Sequence, residues 1–193
     1  GFADLLQESV PEVRSATRLW QQEATLIVYQ GEEEESYKEQ FVYADENFFG
    51  IFSYPLLYGK AETALADPSA LIITKSLAQK YYGSASEELI GNRITLYHLD
   101  GARDFQISAI AEDLPPNSHI NQQIFVQIDR ILNSERAEQW SMAYWSAFPT
   151  YLQLADEAKR ETVFSSITQV LSQHIENAEN YELIAESLPD IYL

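Results

Sequence analysis

At 193 residues, with 46% hydrophobic and 22% charged side chains, the chain can bury a sizeable core and is too apolar for wholesale disorder. Twelve basic against 30 acidic residues leave a formal net charge of -18, a surface that repels phosphate backbones and anionic lipid and argues against nucleic-acid binding. There are no cysteines, which removes disulfides, thiol catalysis and Cys-based zinc sites together.

Residues 4–10 read as the end of a helix, stopped by Pro11. Residues 19–29 are rich in strand formers, and Phe41, Val42 and Tyr43 form a second such run. Between them, Gly31 and the four glutamates Glu32, Glu33, Glu34 and Glu35 read as a solvated hairpin tip rather than a calcium site, which needs oxygen ligands spaced around a sharp turn. Asp45, Glu46 and Asn47 then offer caps for a helix carrying Phe48, Phe49 and Phe52.

Asp67-Pro68-Ser69 is a turn, residues 70–73 a short apolar strand, and Thr74 an N-cap. Leu77, Ala78, Tyr81 and Tyr82 share one face of the following helix, and Gly83 is placed to end it in the left-handed region. Residues 93–98 alternate as a strand with Ile94, Leu96 and His98 on one face, and Asp100-Gly101 turns the chain back. On the returning strand Phe105, Ile107, Ala109 and Ala111 alternate, and Pro115-Pro116-Asn117-Ser118 ends this β-rich stretch. Ile124, Val126 and Ile128 line one face of a strand over 121–129, followed by a helix over 129–139 and a strand over 148–154. The clearest helix spans 156–176, with Val163, Phe164, Ile167, Val170, Leu171, His174 and Ile175 on its apolar stripe. Residues 181–185 read as a closing strand before Pro189.

Strands followed by amphipathic helices thus flank a strand-rich middle, which predicts an α+β fold of two lobes. One lobe is discontinuous, from residues 1–66 and 119–193, and the other is a smaller strand-rich insert over 67–118.

Chemical machinery is sparse. No P-loop, no H-E-x-x-H and no nucleophile elbow occurs in the sequence. His98 lies on a strand face and His174 on an apolar stripe, so both read as structural; no cofactor and no metal site is expected. Asp113 and His119 are the best acid/base pair available, although the Pro-Pro-Asn-Ser run between them more simply makes a rigid turn. Trp140, Tyr144 and Trp145, in the stretch WSMAYW, are the candidate contacts for a substrate or partner.

The order of several phrases carries more than any one residue. ENFFGIFSYPLLYG at 46–59, ALADPSALIITKSLAQKYYG at 64–83, IGNRITL at 90–96, DLPPNSH at 113–119, TYLQLA at 150–155 and LPDIYL at 188–193 follow one another. In that order they resemble the extracytoplasmic core domain of MacB/FtsX-type ABC transporter permeases, in the version found in Bacteroidetes-type bacteria. The resemblance covers most of the chain. It implies a porter-like lobe of β-α-β units with a smaller inserted lobe, and a non-catalytic domain on the periplasmic face of the inner membrane. It also implies a permease dimer partner, a cytoplasmic ATPase carried by a separate subunit or domain, a periplasmic adaptor, and a peptide, lipid or lipoprotein substrate. The chain has no apolar run of about 18 residues and no basic leader, so it reads as an excised soluble piece; the resemblance implies that it follows a first membrane helix. Two rivals remain on sequence grounds: a stand-alone extracellular ligand-binding or sensor domain, and a hydrolase using Asp113 and His119.

Overall fold

The computed structural model describes residues 2–30, 32–98, 101–115, 118–128, 149–175, 178–180 and 182–188. Among the described residues the longest element is strand β1 (Val13–Gln30), an 18-residue run without Gly or Pro, flanked in sequence by Pro11 and Gly31, the residue types that most readily break strand pairing. Helix α1 (Phe2–Ser9) precedes it. Strand β2 (Glu33–Ala44), the single-turn helix α2 (Phe48–Ile51), strands β3 (Leu56–Tyr58) and β4 (Ala70–Thr74) and helix α3 (Lys75–Tyr82) follow. The chain continues through β5 (Arg93–His98), β6 (Gly101–Ala111), β7 (Ile124–Gln127), β8 (Thr150–Leu154) and helix α4 (Arg160–His174). The fold is mixed α+β, as expected.

Strand pairing runs round a closed circuit. β1 pairs antiparallel with β2, β2 parallel with β7, β7 antiparallel with β4, β4 parallel with β6, β6 antiparallel with β5, and β5 antiparallel with β1 again. Such closure limits the open edges that would invite pairing with another chain. Alternating side chains give this curled sheet two cores. On one face Leu26, Val28, Phe41, Leu71, Ile94, Phe105 and Val126 pack with Leu77, Ala78 and Tyr81 of α3. On the other, Val42, Ala44, Ile72 and Phe125 pack with Phe48, Phe49, Tyr54 and Leu65. β4 and β7 are buried on both faces, which accounts for the consecutive apolar residues 70–73 and 124–126. Ile124, Val126 and Ile128 share a face, as their spacing predicts.

The alternation expected along β6 is broken. Phe105 and Ile107 face the α3 core, whereas Ala109 and Ala111 face the other, because the register with β4 slips between Leu71↔Ile107 and Ile72↔Ala109. One extra residue on β6, Ser108, makes a bulge and turns the rest of the strand over. The acidic run also differs from expectation. Glu33, Glu34 and Glu35 lie inside β2, paired with Gln30, Tyr29 and Val28, so the hairpin tip is shorter than the glutamate run.

A third core belongs to the two ends of the chain. Leu6 and Val10, Val13, and Val163, Ile167, Val170 and Leu171 are buried together, with Leu152 and Leu154 against them. α1, the first residues of β1, β8 and α4 therefore pack as a terminal lobe drawn from both flanks of the sheet. The boundaries expected at 67 and 118 fall inside the sheet: β4 pairs with β7, and β5 pairs with β1. The strand-rich lobe accordingly runs from Leu19 to Ile128. Local periodicity marks strands but not which distant strand each will join, and the pairings join those of 67–118 to both flanks.

The C-terminal part of the chain also departs from expectation. α4 begins at Arg160, with Lys159 as its N-cap, and Asp156 lies before it, paired with Arg14. Phe164 and His174 are exposed rather than on the buried stripe. Residues 182–187 carry no regular structure where a closing strand was expected. The helix expected over 129–139, and Trp140, Tyr144 and Trp145, lie outside the described residues.

Candidate functional site

The acid/base pair singled out in the sequence is not assembled. Asp113 accepts hydrogen bonds from the backbone N–H of Ser76 at 3.2 Å and from its hydroxyl at 2.8 Å, in the first turn of α3. His119 stands against the rings of Phe52 and Tyr151, at centroid distances of 6.4 and 5.6 Å, and its burial lowers its pKa below the ordinary value. The two residues thus answer to different neighbours. His98 meets Phe41 edge-on at 5.5 Å with its Nε2 3.1 Å from Gln22 Oε1, and His174 Nδ1–H donates to the carbonyl of Val170 at 2.9 Å. Among the described residues no group of three or more His, Asp or Glu is arranged to hold a metal ion.

The chemistry that stands out is at the seam between the lobes. β1 crosses that seam: residues 13–18 pair with β8 and residues 19–30 with β2. At the crossing, the backbone N–H of Arg18 donates to Asp45 Oδ2 at 2.5 Å, Nε to the same oxygen at 3.0 Å, and Nη2 to Oδ1 at 2.6 Å. Only 8% of the Arg18 side chain and 16% of that of Asp45 are exposed, so water screens the pair little. Two residues on, Asn47 Nδ2 donates to the carbonyl of Ala16 at 2.9 Å and to Ser15 Oγ at 3.0 Å. From the other side, Leu19 N–H donates to the carbonyl of Pro149 at 3.1 Å, and Tyr151 of β8 meets Phe52 edge-on at 5.1 Å.

The sequence reading missed Arg18 and assigned Asp45 and Asn47 the wrong task. Asn47 does occupy the N-cap of α2, but it makes no side-chain cap bond. A short polar residue before an aromatic helix looks like a cap whichever way its side chain turns. The available signal was the arginine itself: a cation inside a strand core must find an anion.

The end segments also share one place. α1 packs against α4 around Leu6, Val10, Val163 and Ile167, and beyond α4 Leu183 joins the same core. The family model for the MacB-like periplasmic core domain matches residues 2–170 of the chain. The chain belongs to this family. It is a periplasmic domain of a MacB-like ABC transporter permease.

Solved structures agree on the fold. A domain assigned to a permease protein of Porphyromonas gingivalis matches with a TM-score of 0.73 at 24% identity, covering 91% of this chain and 70% of that one. The periplasmic region of MacB from Actinobacillus actinomycetemcomitans matches with a TM-score of 0.64 at 12% identity, over 89% of this chain and 72% of the other. The extracellular domain of the noncanonic ABC-type transporter YknZ from Gram-positive bacteria matches with a TM-score of 0.59 at 12% identity, over 90% and 82%. At these identities the likeness is one of fold. No curated protein sequence matches the chain. No helix among the described residues of this MacB-like domain is long and apolar enough to cross a membrane.

The phrases that carry the resemblance have structural tasks here. The aromatic phrase builds α2 and β3 and fills the second core, and its last glycine, Gly59, presses against Ala109 of β6. The LAQKYYG phrase is α3, ended by Gly83 at φ 74°, whose N–H bonds the carbonyl of Gln79.

Proposed function

We propose that this domain is a non-catalytic transmission element: it carries ATP-driven movement of its permease's membrane helices to the periplasm, driving export of a substrate or control of a partner protein. The observation that supports this most is that α1 and α4 lie in one small lobe, from which β1 runs unbroken into the strand-rich lobe. At about 3.3 Å per residue, a strand of that length reaches roughly 60 Å. A displacement applied at α1 and α4 can therefore reach the far sheet through one backbone rather than through a flexible linker. Hinge or rigid-body motion of paired domains is a recurrent form of such switching. The partners on this reading are a second permease copy, a cytoplasmic ATPase and a periplasmic adaptor. The substrate belongs to a class too large or too apolar for a simple pore, such as a peptide, lipid or lipoprotein.

The test uses the full-length permease with its ATPase in a membrane. The chain has no cysteine of its own, so Glu62→Cys, exposed in the strand-rich lobe, introduces one label per domain. The distance between labels on the two copies is expected to shift when a non-hydrolysable ATP analogue binds and to return on nucleotide release. An identical distance distribution with and without nucleotide would overturn the reading.

A further inference from the structure

We propose that Arg18, Asp45 and Asn47 form a coupling pin between the two lobes, a short ladder made of side chains that holds the terminal lobe to the sheet so that both open as one body. The geometry is specific. β1 and β2 are in register from Gln30↔Glu33 to Leu19↔Ala44. The next position in that register would set Arg18 against Asp45, and two further on Ala16 against Asn47. Those are the bonded pairs, with the Asp45 carboxylate taking the Arg18 N–H and the Asn47 amide reaching the Ala16 carbonyl. The side chains of 45 and 47 thus continue the ladder after the β2 backbone has turned away towards α2. Over the same stretch β1 is paired by backbone to β8, with Arg18↔Thr150 and Ala16↔Leu152. Residues 16–18 are accordingly gripped by both lobes at once, and the guanidinium closes on the carboxylate that ends the ladder.

The terminal lobe needs this grip more than the sheet does. Among the described residues it has one two-stranded ladder and two α-helices around a core cluster of seven buried apolar residues, and a two-stranded ladder is marginal alone. The strand-rich lobe has two cores of its own. Loss of the pin therefore loosens one lobe selectively, since buried contacts set the free energy of local opening. The inference rests on lobe geometry alone and holds whether or not the domain transmits ATP-driven motion.

The test is native-state hydrogen exchange, read by peptide, on the 193-residue chain and its Arg18→Met variant. Amides of α1, β8 and α4 are expected to exchange at least roughly tenfold faster in the variant, while those of β4, β6 and β7 stay within about twofold of the unaltered chain. Equal acceleration in both lobes, or none in either, would overturn the proposal. Should Arg18→Met fail to fold, Arg18→Lys keeps the charge but loses the two-pronged contact, and the same comparison between lobes decides. Neither ATP nor a membrane enters the measurement, so its outcome is separate from that of the distance experiment.

Discussion

Asp113, beyond the end of β6, receives both the backbone N–H and the hydroxyl of Ser76 in the first turn of α3. The residue that looked most like a catalytic acid is the cap of a helix 37 positions earlier in the chain. Thr74, at the N-cap position itself, makes no side-chain cap bond, and its buried hydroxyl has no hydrogen-bond partner. Two substitutions should therefore move stability in opposite directions. Asp113→Ala is expected to cost about 1 kcal/mol, the usual loss for a helix cap, lowering the melting temperature by roughly 2–4 °C. Thr74→Val removes an unsatisfied buried hydroxyl and is expected to be neutral or stabilising by up to about 1 kcal/mol. Thermal unfolding followed by circular dichroism checks both; a loss at Thr74 larger than at Asp113 would restore the local cap reading.

Two glycines of the aromatic phrase are expected to behave differently. Gly59 has φ +98°, and a Cβ there would lie 2.6 Å from the Cβ of Ala109. Gly59→Ala therefore meets both a strained backbone and a contact with a packed strand, at a cost of about 1–3 kcal/mol. Gly50, inside α2, has nothing within 4 Å of that position, and Gly50→Ala should gain about 0.5–1 kcal/mol. Urea midpoints of the two variants should fall on opposite sides of the unaltered chain.

Burial beside Phe52 and Tyr151 holds the His119 pKa below its ordinary 6.5. The folded state then binds this proton less readily than the unfolded chain. His119 contributes full stability above pH 6.5, and that contribution declines as pH falls below 6.5 towards the folded pKa. His119→Phe should flatten the fall in unfolding free energy between about pH 7 and 5, leaving the steeper carboxylate-driven loss at lower pH. An unchanged slope in that window would show that the imidazole is not desolvated.

At the alkaline end the sign reverses. Burial raises the phenol pKa of Tyr54 and Tyr81, and pushes that of Tyr82 up to about 12. A raised folded pKa means the stability is complete below the unfolded value of 10 and is lost as pH climbs past it. Of the twelve tyrosines, at least these three should ionise late in an ultraviolet titration. Their absorbance change should coincide with loss of the circular dichroism signal rather than precede it.

The elements were largely legible because local patterns set them. The apolar residues 70–73 after a turn mark a strand, the spacing of Ile124, Val126 and Ile128 marks another, Gly83 ends α3 in the left-handed region, and the linked phrases point to the family that the match over residues 2–170 establishes. Where a residue can serve two neighbours, the sequence was silent. Asp45 and Asn47 look the same whether they cap α2 or reach across to β1, and Asp113 looks the same as a cap or an acid.

Composition and periodicity alone determined that this is an acidic, cysteine-free α+β domain, because charge and the repeat of apolar residues are properties of the chain itself. Tertiary structure decided the rest: which strands close the circuit, where the lobes divide, and that Arg18 meets Asp45. Those choices depend on contacts between residues far apart in sequence. A strand's pattern says that one face must be buried but does not name its partner, and a buried arginine says only that an anion is near. The pairing of β1 with β2 on one part of its length and β8 on another turned an ordinary strand into the bridge between lobes.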